Sequence, residues 1–68
     1  MKFTVEVEQE DDGRWIAEVI ELPGALTYGA TRDLAVAAAK ALSLRILAER
    51  LEQGETASDL QDITFAAA

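Results

Sequence analysis

The 68-residue chain contains no cysteine and no histidine. Without cysteine there is no disulfide framework and no thiolate ligand for a metal. Without histidine the commonest general base is missing, and with it the imidazole of most zinc sites. Ser43, Ser58 and the threonines therefore have no imidazole to activate them as nucleophiles. Basic residues are also scarce: six Lys and Arg stand against 13 Asp and Glu, for a net charge of −7. Phosphate backbones and anionic membrane surfaces select clustered Lys and Arg, so neither nucleic acid nor membrane is an expected partner. No apolar run reaches a membrane-spanning length, and Met1-Lys2 followed by strand-like alternation is not a signal peptide. The four glycines are scattered at turns and form no phosphate cradle. The expectation is a soluble cytoplasmic protein without cofactor or metal, and not an enzyme.

Half of the residues are hydrophobic, but 13 of these are alanine. A chain of this size buries only ~60% of the surface its unfolded form exposes. One small domain spanning 1–68, with so few large apolar side chains, is expected to gain stability by association.

The order of elements follows from periodicity. Residues 2–10 alternate, with Phe3, Val5 and Val7 on one face and Thr4, Glu6 and Glu8 on the other, as in a half-buried strand. A second apolar segment covers 14–22, after the turn residues Asp11-Asp12-Gly13. A two-residue loop would place Val7 opposite Glu18 and bury an acid. A three-residue loop with Gly13 in the left-handed region places Val7 opposite Ala17 and Val5 opposite Val19. The hairpin core face is then Phe3, Val5, Val7, Trp15, Ala17 and Val19. The other face carries Glu6, Glu8, Ile16, Glu18 and Ile20.

Pro23-Gly24 ends the second strand, and 26–29 form a short third one. Thr31 occupies a helix N-cap position, with Asp33 in the first turn. From Arg32 to Gln53 there is neither Gly nor Pro, and Gly54 suits the C′ position. This predicts a helix over 32–53, roughly 33 Å long. It is apolar on two sides: Ala35, Ala39, Leu42 and Ile46 on one, Leu44, Leu47 and Leu51 with Ala37, Ala41 and Ala48 on the other. A single small domain cannot bury both, so one side points to a partner or a second copy. A last strand over 62–66 completes a β-β-β-α-β order. The predicted fold is α+β and two-layered, with strand order 3-2-1-4 and the helix on one face.

Few residues suggest chemistry. Asp11 and Asp12 serve a hairpin turn better than a metal site. The fold order resembles part of the ribonuclease H fold, but inward strand positions are apolar and cannot gather the carboxylates that two-metal nucleases need. Trp15 belongs to the core face, and Tyr28 stands between an edge-strand residue and a ligand-stacking one. The charge is uneven: residues 1–21 carry seven acids and two bases. Ile16 and Ile20 lie among those acids, and apolar residues rimmed by acids suit a basic partner.

The stretch GRWIAEVIELPGALTYGAT, Gly13 to Thr31, resembles the signature of the HicB antitoxin family. The residues that carry it are Gly13, Trp15, Ala17, Glu18, Val19, Glu21, Leu22, Pro23, Gly24, Ala25, Gly29 and Thr31, ahead of a long Ala-rich helix. The likeness extends over residues 1 to about 55. Many family members have Pro in place of Ile20, and often Cys in place of Ala25. The resemblance implies a partial ribonuclease H-like fold without a catalytic set. It further implies a partner, a small basic HicA-like toxin that cleaves mRNA, neutralised by this chain. Longer members carry a C-terminal DNA-binding domain; none is expected here, nor is direct DNA binding. The candidate toxin-binding residues are Glu6, Glu8, Ile16, Glu18 and Ile20, and the candidate self-association residues are Leu44, Leu47 and Leu51, although the two surfaces could exchange roles. The alternative is an orphan homo-oligomeric module, dimer or tetramer, with a structural or small-ligand-binding role.

Overall fold

The computed structural model describes residues 1–54 and 62–68. Strands β1 (Lys2–Gln9), β2 (Trp15–Val19) and β3 (Leu26–Gly29) precede helix α1 (Arg32–Glu52), and β4 (Thr64–Ala67) follows it. The sheet order is β3-β2-β1-β4, as the sequence predicts. The three-residue hairpin loop is also observed. Val5 faces Val19 and Val7 faces Ala17, while Gly13 has φ +91°. The helix carries the chain back so that β4 pairs in parallel with β1, Phe3 opposite Phe65. Those two rings lie 5.6 Å apart, centroid to centroid. Ser58 and the polar stretch 55–61 lie outside the described residues.

β2 is shorter than the predicted 14–22. It ends at Val19, and two successive turns follow, closed by hydrogen bonds from Leu22 N–H to Val19 C=O and from Ala25 N–H to Leu22 C=O. The second turn centres on Pro23 and Gly24. Proline presets one central dihedral, and Gly24, at φ +92°, meets the positive φ that a type II turn requires. This folding-back sends Leu22 and Ala25 into the core, where they are almost fully buried. Pro-Gly thus marks the turn that returns the chain, while the strand itself stops earlier.

Where β2 leaves the sheet, β1 would be left with unpaired backbone. Ile20 N–H still donates to the Thr4 carbonyl. The Thr4 N–H is taken by Glu21 Oε1 at 2.7 Å, and the Thr4 hydroxyl donates to Oε2 at 2.8 Å. Glu21 therefore substitutes for a strand partner. The donated backbone hydrogen bond, chiefly, and then the hydroxyl hold its carboxyl below the usual value.

Helix α1 begins as predicted, with the Thr31 hydroxyl accepting from the Leu34 N–H at 3.2 Å. Its buried row is Ala35, Ala39, Ser43 and Leu47. This corrects the predicted division of the helix. Leu47, placed on the outer face by sequence, is 3% exposed in the core, whereas Leu42 and Ile46 are half-buried at its flank. The physical reason lies at Ser43. Its hydroxyl donates to the Ala39 carbonyl at 2.8 Å, so a polar side chain enters the core with its donor satisfied and carries the row on to Leu47. β4 is shifted slightly from the predicted 62–66 and reaches Ala67.

Candidate interaction surface

The helix covers one face of the sheet, so strand alternation decides what the other face displays. Phe3, Val5, Ala17 and Val19 point to the core. Glu6, Glu8, Ile16 and Glu18 point away, and β3 extends the pattern with Leu26 and Tyr28. Two rungs cross the sheet. In the first, Glu8 faces Ile16, which faces Tyr28. In the second, Glu6 faces Glu18, which faces Leu26.

Together Glu6, Glu8, Ile16, Glu18 and Leu26 line an open groove of about 330 Å³. Four of the five residues proposed from sequence meet there. The fifth, Ile20, does not line it. It lies beyond the end of β2 and is 48% exposed. Leu26 (41% exposed) is an addition that sequence reasoning missed, and Tyr28 (48% exposed) stands next to Ile16. The signal for both was the L-T-Y alternation of the third strand. It becomes informative only when the β2–β3 register sets Ile16 beside Tyr28.

The electrostatics of this face are one-sided. Glu6 and Glu18 are directly opposed across the hairpin, an arrangement that costs stability. Among the described residues neither they nor Glu8 form an ion pair. Arg14 stands at the edge of the face and is paired with Asp12: its Nε lies 2.7 Å from Asp12 Oδ2, and its guanidinium carbon stands 4.7 Å from the Tyr28 ring centroid. The Arg14 backbone N–H, then the guanidinium, hold the Asp12 carboxyl below its usual value. The Arg14 guanidinium thus braces the half-exposed Tyr28 ring.

A smaller hollow of about 160 Å³ lies on the helix side, lined by Val7, Arg32, Val36, Lys40 and Phe65 among others. Lys40 is exposed, and its Nζ stands 5.9 Å from the Phe65 ring centroid. Among the described residues no group of three or more His, Cys, Asp or Glu is placed to hold a metal ion. Among them, too, no helix is long and apolar enough to cross a membrane. No family model, curated protein or solved structure matches the chain.

Proposed function

We propose that the chain is an interaction protein that acts in the cytoplasm as a HicB-like antitoxin. It neutralises a small basic HicA-like RNase by covering its active site, and it catalyses no reaction of its own. The observation that carries the reading is the open sheet face, where Ile16, Leu26 and Tyr28 sit beside Glu6, Glu8 and Glu18, and none of these three acids forms an ion pair among the described residues. An apolar strip supplies contact area, and the acids steer a cationic partner and reject an anionic one. The Gly13–Thr31 motif supports the same reading from sequence.

The test is capture from the native lysate with the tagged chain, followed by identification and sizing of the complex by light scattering. The expected prey is a small Lys/Arg-rich protein that cleaves RNA when free and stops when the chain is added back. A basic prey with no RNase activity, or an RNase that keeps cleaving in the complex, removes the antitoxin reading. A second reading, an orphan homo-oligomeric module, draws on the exposed Leu44 and Leu51 of the helix. Recovery of the chain bound only to itself would favour it.

A further inference from the structure

Helix α1 packs chiefly over β2 and β3. One helix with its side chains is about 10–12 Å wide, while the outer axes of four strands stand about 14 Å apart. The helix side of the sheet is therefore roofed only in part, and the hollow of about 160 Å³ lies over β1 and β4. Val5 and Val7 form its floor. Arg32, Val36 and Lys40 line it from the helix, and Phe65 to Ala67 line it from β4. The three helix residues are spaced i, i+4, i+8 and form one stripe. Neither cation forms an ion pair among the described residues, and no acid lines the hollow. In a chain of 13 acids and six bases this hollow is the basic exception.

The strand beside it has an open edge. β4 is an outer strand, and among the described residues only β1 pairs with it. Thr64 N–H donates to Met1 C=O, and Ala68 N–H donates to Val5 C=O. Alternate residues of a parallel strand turn to the same neighbour, so Phe65 and Ala67 turn their N–H and C=O groups to the free edge. Their side chains lie on the helix side, since Phe65 is opposite Phe3 and Ala67 opposite Val5. The sequence Thr-Phe-Ala-Ala carries neither charge nor proline, two of the devices that discourage pairing at an edge.

We infer that β4 and the hollow together bind an extended acidic segment of a partner protein, which adds to the sheet as a fifth strand. Backbone hydrogen bonds to Phe65 and Ala67 hold the segment, and alternate side chains over the hollow select it. Arg32 and Lys40 are eight residues apart, about 12 Å along the helix axis. Two residues four apart in an extended chain are separated by about 13 Å. The preferred sequence is thus acid-x-apolar-x-acid. Its acids reach Arg32 and Lys40, and its apolar residue faces Val36 and Phe65. A cavity of about 150 Å³ holds benzene, so a leucine-sized side chain fits. The pattern reads the same in both chain directions. The site lies on the opposite layer from Glu6, Glu8 and Glu18 and takes a partner of the opposite charge, so the inference does not depend on the antitoxin reading.

The test titrates the isotope-labelled full chain with the capped heptapeptide Thr-Glu-Thr-Leu-Thr-Glu-Thr and follows the amide chemical shifts. Saturable shifts are expected at Phe65 and Ala67 and along Arg32, Val36 and Lys40, with Ile16 and Leu26 unmoved. Replacing both peptide glutamates by lysine is expected to weaken binding on the order of tenfold or more. The Arg32→Glu/Lys40→Glu variant, altered only at exposed positions, is expected to reverse that preference. Ala67→Pro removes an outward N–H at a place where an edge strand tolerates proline, and is expected to abolish binding with the fold intact. Should it disturb the sheet, the charge reversal still decides. No saturable shift at millimolar peptide overturns the inference, as does equal binding of the lysine peptide. Binding that survives Ala67→Pro overturns the added strand. Shifts at Phe65 and Ala67 that grow with protein concentration alone overturn the acidic partner and give the edge to a second copy.

Discussion

Gly29 and Ala35 approach more closely than any side chain between them would allow: a Cβ on Gly29 would stand 2.5 Å from the Ala35 backbone nitrogen and 2.9 Å from its Cα. The β3 backbone thus rests directly on the first turns of α1. Thr27 reinforces the contact, its hydroxyl donating to the Ala35 carbonyl at 2.9 Å.

Gly29→Ala tests this contact. The obstructing atoms are backbone and cannot rotate away, so the strand or the helix must shift. The expected cost is about 1–3 kcal/mol or more, read as a lower urea midpoint with an unchanged slope. A neutral result would mean that β3 and the helix are not in this register.

Two neighbours in the buried row of α1, Ser43 and Leu47, predict unequal outcomes on truncation to alanine. Leu47→Ala removes a large buried side chain and is expected to cost about 2–5 kcal/mol. Ser43→Ala removes a hydroxyl whose one partner, the Ala39 carbonyl, lies within the same helix, and is expected to change stability by less than about 1 kcal/mol. Thermal melts of the two variants beside wild type decide the matter.

Glu21 predicts a pH dependence. Its native carboxyl titrates below the ordinary value of 4.5 because Thr4 donates to the ionised form. A depressed native pKa stabilises fully above that ordinary value, and the contribution is lost as pH falls through the native one. Asp12 responds in the same direction, so the comparison must be with a variant. Glu21→Gln is expected to lower the melting temperature at pH 7 and to differ little from wild type at pH 2–3. An equal deficit at both pH values would locate its effect elsewhere.

Glu18→Lys separates folding from binding. Opposite Glu6 it turns a like-charge pair into an opposite-charge pair and is expected to raise the melting temperature. On the same face it places a cation where a basic partner would dock, and is expected to weaken partner binding on the order of tenfold or more, most strongly at low salt. Loss of both stability and binding would indicate disruption of the sheet instead of the surface.

Much of this fold was legible in the sequence, and the reasons are local. Alternation at Phe3-Val5-Val7 and the rule against burying Glu18 set the hairpin register, and Thr31 and Gly54 bracketed the helix. What was not legible depends on contacts between distant segments. The early exit of β2 follows from Leu22 and Ala25 finding room in the core, and from Glu21 reaching back to Thr4. The rotation of the helix turned on Ser43, which no hydropathy pattern places inside. Of the candidate surface, the acids and Ile16 were readable from one hairpin, while Leu26 and Tyr28 became part of it only through pairing between β2 and β3.

The pairing of β4 with β1 sets the order in which the molecule can assemble. β1, β2 and β3 are joined by short turns, and the helix caps itself, so these pieces can form from nearby residues. The contact of Lys2 with Thr64 joins points nearly the whole chain apart, and its loop must close before any reward is returned. The hairpins and helix would then order early and β4 would dock last. In native-state hydrogen exchange the amides of Thr64 and Ala68, which donate to Met1 and Val5, should accordingly open well before those of Glu6 and Glu8, which face β2.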